Sequence, residues 1–309
     1  MRDMPTALVT GVAGFIGSSL AAVLLDRDYT VRGIDNFATG SRQNIASLEN
    51  QSAFSFTEVD IRDAGGVAEV LDGVDYVFHQ AAVPSVPRSV DDPVTSTDAN
   101  CTGTATVLDE ARKADVDTVV VASSSSVYGS SETLPKVETM EVCPESPYAL
   151  SKYYTERLAI QFSDLYDLNT VALRYFNVFG PGQDPDGEYA AVIPKFIQLM
   201  LGGDRPVIYG DGEQSRDFTY VQNAIDANIL AAERDATGVA LNVGCGGRVT
   251  VNELVHRIND VIGTDIEPIY DDPRPGDVRH SHANISLASE EIGYKPEVAF
   301  QEGLERTIK

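Results

Sequence analysis

The stretch from residue 6 to residue 35 leaves this chain little choice of architecture. A strand-like run, Ala7-Leu-Val-Thr10, enters a turn carrying Gly11, Gly14 and Gly17; a helical segment follows to about Arg27, then a second strand from Tyr29 to Asp35. Glycines at i, i+3 and i+6 let the backbone turn tightly, let a pyrophosphate approach the helix N-terminus, and let that helix pack close on a sheet. Asp35 falls about 20 residues further on, where a carboxylate accepts hydrogen bonds from an adenosine ribose. A carboxylate there repels a 2′-phosphate, so NAD is favoured over NADP, with Arg32 and Arg42 the nearby cations able to weaken that preference.

The alternation of strand and helix continues. Phe54 to Val59 reads as a third strand ending in Asp60-Ile61, placed to meet an adenine, and Asp63 to Leu71 as a helix. Asp75 to Gln80 reads as a fourth strand, followed by Ala81-Ala82, small enough for a cofactor to lie against backbone. A long helix is expected from about Val94 to Lys113, then a buried fifth strand from Thr118 to Ser123 and a sixth from Val171 to Tyr175. Such alternation predicts an α/β fold with a doubly wound parallel sheet, its ligands at the carboxyl ends of the strands. Beyond Pro181 it fails, and Gly182-Gln-Asp-Pro-Asp-Gly187 reads as a turn-rich boundary. Residues 1–180 plus about 218–244 are expected to form the dinucleotide-binding domain, and about 181–217 plus 245–309 a smaller α/β domain.

Two strand ends carry the chemistry. The fifth strand runs into Ser123-Ser-Ser-Ser-Val-Tyr-Gly129; consecutive hydroxyls there are costly in a core and useful at a site, since each can donate and accept. Tyr148-Ala-Leu-Ser-Lys152 then puts a phenol and an ammonium on one helix face, with Pro147 suited to the first turn and Ser146 to the cap. A cation beside a phenol favours the phenolate, so Lys152 is expected to lower the Tyr148 pKa from about 10 and make it a general acid/base for a sugar or alcohol hydroxyl.

Composition excludes several classes. A net charge of −24 with only six lysines repels nucleic acid and anionic lipid, so neither is an expected partner. No apolar run approaches the roughly 20 residues of a membrane span, and no charged-then-apolar leader precedes the first strand, so a cytoplasmic location is expected. Cys101, Cys143 and Cys245 lack paired spacing; buried free thiols are expected, with neither a disulfide framework nor a metal site.

Taken together, Gly11-x-x-Gly-x-x-Gly17, Asp35, Asp60-Ile61, His79-Gln-Ala-Ala82, Asn100, the serine run, Tyr148-x-x-x-Lys152 and Arg174-Tyr-Phe-Asn-Val-Phe-Gly-Pro181 resemble the extended short-chain dehydrogenases/reductases. Within these the chain is most similar to the nucleotide-sugar 4-epimerases, in particular the UDP-N-acetylglucosamine 4-epimerase group. The resemblance implies a Rossmann sheet binding NAD, a UDP-sugar substrate and a homodimer joined through the helices near 94–113 and 147–168. It places Ser124, Tyr148 and Lys152 as the catalytic set. It assigns Phe15, Ile16, Asn36, Gly40, Gln80, Ala81, Ala82, Asn100, Tyr175 and Val178 to the cofactor alongside the glycines, Asp35, Asp60 and Ile61.

For the substrate, the resemblance implies Ser85, Ser125, Ser126, Gln183 and Lys195, with Asn177, Arg216, Arg274 and Asp277 around the diphosphate. Ala190-Ala191-Val192 matches a segment that reads uracil, and Val207 stands where relatives often carry an aromatic beneath the base. Ser281 stands where relatives restricted to plain sugars carry a bulky tyrosine, which leaves room for an N-acetyl group. Three rivals remain open. A 4,6-dehydratase would need an Asp-Glu pair where Ser125-Ser126 stand; a UDP-glucuronate 4-epimerase or decarboxylase is not separated by residues alone; a non-catalytic NAD-binding scaffold would have no need of the proton-transfer set.

The acidic surface suits a salt-rich cytoplasm, which yields a test of its own. At about 1 M salt the Debye length shrinks to about 3 Å, so self-repulsion is screened and the thermal midpoint is expected to rise between about 0.1 and 2 M KCl. A midpoint flat with salt, followed by circular dichroism, would argue against salt adaptation.

Overall fold

The computed structural model describes residues 4–186, 191–273 and 278–309. Its centre is a seven-stranded parallel sheet, built in chain order from β1 (Thr6–Thr10), β2 (Thr30–Asp35), β3 (Phe54–Glu58), β4 (Tyr76–His79), β5 (Thr118–Ser124) and β6 (Asn169–Tyr175). A return strand, Val239–Val243, completes it in the order return strand, β6, β5, β4, β1, β2, β3. The order reverses beside β1, which opens a crevice at the carboxyl ends of β1 and β4.

Helices cover both faces. On one side lie α1 (Phe15–Asp26) and a helix from Val221 to Glu233; on the other lie α2 (Ala64–Leu71), a segment in several pieces, and the long helix Pro147–Tyr166. The segment expected as one helix from Val94 to Lys113 is instead α4 (Pro93–Thr97), a π turn over Asp98–Thr102, and α5 (Gly103–Lys113), with the short α3 (Val86–Asp91) ahead of it. Asp92 and Pro93 restart the helix, the Asp92 carboxylate accepting from Thr95 N at 3.1 Å. The π turn brings Asn100 inward, fully buried. Pro147–Tyr166, the sixth α-helix in chain order and α6 from here, is capped by Ser146, whose hydroxyl accepts from Ala149 N at 3.1 Å.

Apart from the return strand, the rest of the chain builds short strands and helices rather than extending the sheet. In order these are β7 (Val178–Phe179), α7 (Val192–Leu201), β8 (Val207–Tyr209), β9 (Ser215–Arg216), β10 (Thr219–Tyr220), α8 (Val221–Glu233), β11 (Val239–Val243, the return strand), β12 (Val249–Thr250), α9 (Val251–Ile262), β13 (Ile269–Asp271), α10 (Ser286–Ile292) and α11 (Phe300–Ile308). Pairs β7/β10, β9/β12 and β8/β13 each form a two-stranded sheet. One apolar core runs from α1 and α8 into Phe179, Phe218 and the α7–α9–α11 cluster. No helix among the described residues is long and apolar enough to cross a membrane.

The thiols depart from expectation. Cys101 and Cys245 are partly buried, and Cys143 is exposed on the loop that follows the serine run.

The β1–α1 turn depends on absent side chains. Gly11 has φ +68°, and a Cβ on it would stand 2.7 Å from the Ala81 backbone; a Cβ on Gly17 would stand 2.2 Å from the Gly11 carbonyl oxygen. Gly17→Ala is therefore expected to cost about 1–3 kcal/mol through displacement of α1, read as a lowered urea midpoint with unchanged slope. A neutral substitution would mean that α1 can retreat freely.

Candidate active site

A cleft of about 370 Å³ runs along the carboxyl ends of β1, β2, β4, β5 and β6. Gly11, Gly14, Phe15, Ile16 and Gly17 form one wall with Asp35 and Asn36 at its end; Asp60 and Ile61 lie beyond, and Gln80, Ala81, Ala82, Tyr148, Lys152, Tyr175 and Gln183 close the other half.

Asp35 is nearly buried, and its oxygens accept from Ala13 N at 2.9 Å and Phe37 N at 2.8 Å. Burial raises its pKa while these amides oppose the rise. Neither nearby cation attends this corner. Arg32 donates to the Val70 and Asp72 carbonyls, and Arg42 pairs with Glu49 at 2.8 Å. The acidic corner therefore keeps its preference for a free ribose 2′-hydroxyl. Absent Cβ atoms at Gly11 and Gly17, an alanine floor at 81–82 and a carboxylate at the strand end together fit a dinucleotide.

Sequence reasoning did not anticipate Arg62. It bridges Asp60 through two bonds of 2.9 and 2.7 Å and Asp98 at 2.6 Å, and holds the Asp60 carboxyl far below the usual range. The Asp60 side chain is thus taken up by Arg62 and Asn36. Asn100, assigned to the cofactor by resemblance, has another use: its amide pairs with both backbone groups of Val83, at 2.7 and 3.2 Å, and donates to Ser151 Oγ at 2.9 Å. It braces the loop after β4 against α6 and does not line the cleft. Gly40 likewise serves packing, since a Cβ there would meet Ala13 at 2.8 Å, and Val178 packs on the core beside the cleft.

Tyr148 and Lys152 lie one turn apart on α6, over the end of β5. The Lys152 ammonium donates to the Ala122 carbonyl at 2.8 Å, and burial holds its pKa down at about 8. The expected depression of Tyr148 is reversed. Burial raises the phenol and Ser124 pulls it back, while the Lys152 nitrogen lies 5.9 Å from the ring centre and donates to a carbonyl. Desolvation outweighs a charge that is directed elsewhere.

Ser124 also accepts from Ser126 N at 3.1 Å and caps the short turn Ser125–Tyr128. Ser126 Oγ and Gln183 Oε1 are buried without a hydrogen-bond partner. Buried orphans of this kind cost about 1–3 kcal/mol each unless a ligand satisfies them. Ser85 caps α3 from a positive φ of 91°, backbone strain of the sort that collects at functional sites.

Behind the cleft, Tyr175, Gln80 and Asn228 form a closed set of hydrogen bonds, 2.8 to 3.3 Å long, with the buried Tyr175 phenol pushed up to about 12. Asn228, far along the chain on α8, carried no sequence signal. His79 sits between Thr10 and Thr104 hydroxyls at 2.8 and 2.9 Å, and burial lowers it to about 3, so it is neutral.

The remaining assignments fall after β6 in the chain, and none of those among the described residues lines the cleft. Asn177 has φ 37° and donates to the Asp217 carbonyl at 3.0 Å; Arg216 Nη1 donates to the Ser215 carbonyl at 3.0 Å; Ser281 N donates to the same Ser215 carbonyl at 3.0 Å. Ala191 precedes α7, Val192 begins it, and Lys195 on α7 is exposed; Val207 is half-buried in β8. Arg274, Asp277 and Ala190 lie outside the described residues. His280 and His282 bind Ser215 Oγ and the Gly246 carbonyl. Among the described residues no cluster of His, Cys, Asp and Glu could hold a metal ion.

A family model described as the NAD dependent epimerase/dehydratase family matches residues 7–244. The chain is 42% identical over 303 residues to a putative UDP-glucose 4-epimerase of Methanocaldococcus jannaschii, covering 97% of this chain and 96% of that protein. It is similar to the solved UDP-N-acetylglucosamine 4-epimerase of Methanobrevibacter ruminantium, in complex with UDP-N-acetylmuramic acid, at 43% identity and TM-score 0.94, covering 100% of this chain and 98% of that one. It is also similar to a UDP-glucuronic acid 4-epimerase from Bacillus cereus with UDP-glucuronic acid and NAD, at 32% identity and TM-score 0.91, with 98% of each chain covered.

Lys152 gives the site a pH signature. Its pKa is about 8 when folded against an ordinary 10.5, so between those values the unfolded chain binds a proton that the folded chain has released. The buried ammonium therefore makes stability rise with pH across that window and is fully adverse below about 8. Lys152→Met is expected to gain on the native chain at pH 7 and to lose that gain by pH 10.5, by up to about 3 kcal/mol in urea titrations. A difference independent of pH would show that the ammonium is not desolvated.

Proposed function

The chain belongs to the NAD dependent epimerase/dehydratase family, and we propose that it is a UDP-sugar 4-epimerase interconverting UDP-GlcNAc and UDP-GalNAc, with UDP-Glc and UDP-Gal as further substrates. One observation carries the proposal: the Tyr148 phenol and the Lys152 ammonium both line the cleft, one turn apart on α6, over the end of β5 where the serine run begins. This is a proton-transfer set, which a binding scaffold does not need.

Tyr148 takes the proton of the sugar's 4-hydroxyl, and Ser124 shares that hydrogen bond. NAD, when bound, supplies the acceptor for hydride from C4 and its later donor, and its oxidised ring adds the positive charge that favours the phenolate. The 4-keto sugar turns within the pocket, and Tyr148 returns the proton once the other face is presented. Lys152 holds the nicotinamide ribose, anchored by the Ala122 carbonyl. The glycine turn, Asp35 and the 81–82 backbone hold the rest of the dinucleotide, and Ser126 and Gln183 meet the substrate with their unpaired oxygens. Residues 181–217 and 245–309 supply the nucleotide-binding side, with Asn177 and Arg216 at the diphosphate.

Ser281 supports the acetylated sugars, because a hydroxymethyl leaves space where a tyrosine would fill it. A UDP-glucuronate 4-epimerase is the second reading, favoured by the likeness to the Bacillus cereus enzyme. The exposed apolar side chains Val90, Val94 and Leu150, at 62, 76 and 57% exposure on α3, α4 and α6, support a homodimer through those helices.

Incubation of the purified protein with UDP-GlcNAc is expected to yield UDP-GalNAc without a reductant. Tyr148→Phe should fold normally and lose at least about a hundredfold in kcat. Ser281→Tyr should cut kcat/KM for the acetylated pair more than for UDP-Glc and UDP-Gal. Turnover of UDP-glucuronate alone would replace the first reading with the second, and a near-normal Tyr148→Phe would remove that phenol from the mechanism.

A further inference from the structure

The serine run and α6 contribute the two halves of the proton-transfer set, yet they are separate segments that must hold a fixed distance. Four contacts behind the cleft address this. Glu156 lies on α6 one turn past Lys152 and is 1% exposed. It forms a two-pronged pair with Arg174 of β6, Nε to Oε2 at 2.8 Å and Nη2 to Oε1 at 2.6 Å. Ser123, the first hydroxyl of the run, donates to Glu156 Oε2 at 3.0 Å. Arg174 Nη1 donates at 2.7 Å to the Tyr128 hydroxyl, at the other end of the run.

Ser123 and Arg174 are register partners in neighbouring strands, so both side chains leave the same face of the sheet toward α6. The segment carrying Ser124, Ser125 and Ser126 is thereby gripped at each end by one partner of a single buried ion pair. That pair is further enclosed. The Tyr128 hydroxyl donates to Asn242 Oδ1 at 2.7 Å, and Asn242 N donates to Glu138 Oε1 at 2.8 Å, which ties in β11 and the loop after the run. Arg174 also stacks its guanidinium over the Tyr128 ring at 4.9 Å.

A fully buried ion pair is a poor device for stability alone. Apolar residues of equal volume often serve as well, because desolvating two charges offsets their attraction. What such a pair provides is direction, since a guanidinium fork and a carboxylate meet in one geometry.

We propose that Glu156 and Arg174 are positioning residues that lock the serine run to the helix bearing Tyr148 and Lys152, and so set the alignment of Ser124 with Tyr148. The proposal deepens the epimerase reading and rests on it for its kinetic consequence. The clamp itself does not depend on which sugar is turned over.

The test uses Glu156→Gln, which keeps the shape and removes the charge, with Tyr128→Phe and Ser123→Ala as variants that each delete one hydroxyl of the grip. Kinetics on the sugar that the native enzyme turns over and amide exchange by mass spectrometry are measured on all three. For Glu156→Gln, kcat is expected to fall at least about tenfold with KM within about twofold, and exchange to accelerate in residues 123–129 more than across the sheet. Tyr128→Phe and Ser123→Ala should shift both readouts the same way by less, and they carry the test if Glu156→Gln does not fold. Native kcat and unchanged exchange at 123–129 in folded variants would overturn the proposal. So would a lowered thermal midpoint with kcat intact, which is the mark of a purely structural pair. Faster exchange with a native protein that epimerises no UDP-sugar would support the clamp and overturn the epimerase reading instead.

Discussion

Everything at the site depends on one helix burying polar groups where apolar ones would be easier. Helix α6 turns Ser151, Lys152, Thr155 and Glu156 toward the sheet, all at most 5% exposed. Each needs a partner in the interior or it destabilises the fold. The partners are Asn100, the Ala122 carbonyl, Thr104 and Arg174. Satisfying them fixes the rotation and height of α6 over β5 and β6, and through them the position of Tyr148.

The same demand shapes the neighbouring elements. The π turn at 98–102 points Asn100 inward to meet Ser151, and that asparagine's other atoms then hold Val83 in the loop after β4. On the opposite face of the sheet Tyr175, Gln80 and Asn228 form a comparable set, so the cleft lies between two hydrogen-bonded frameworks.

Much of this was legible in the sequence because period and punctuation are local. The glycines, the acid ending β2, and the apolar runs of β4 to β6 each state their structure within a few residues. What escaped was set by distant partners. Arg62 reads as an ordinary surface cation until Asp60 and Asp98 close around it, and Asn228 gains meaning only beside Gln80. Glu156 offered a usable signal, since it continues the four-residue spacing of Tyr148 and Lys152. The Tyr148 pKa was misjudged because sequence spacing shows that a lysine is near but not that its protons are committed to a carbonyl.

The tight approach of Gly17 to Gly11 divides the site by how freely it can diversify. The dinucleotide side is shaped by main chain with no room for a Cβ, so nearly any replacement there disturbs the path of the backbone. Val207 and Ser281, by contrast, are half-buried side chains on a short strand and on the loop before α10, whose exchange would alter the local contour without moving α1. Variation is therefore accommodated readily in the later part of the chain and poorly at the β1–α1 turn.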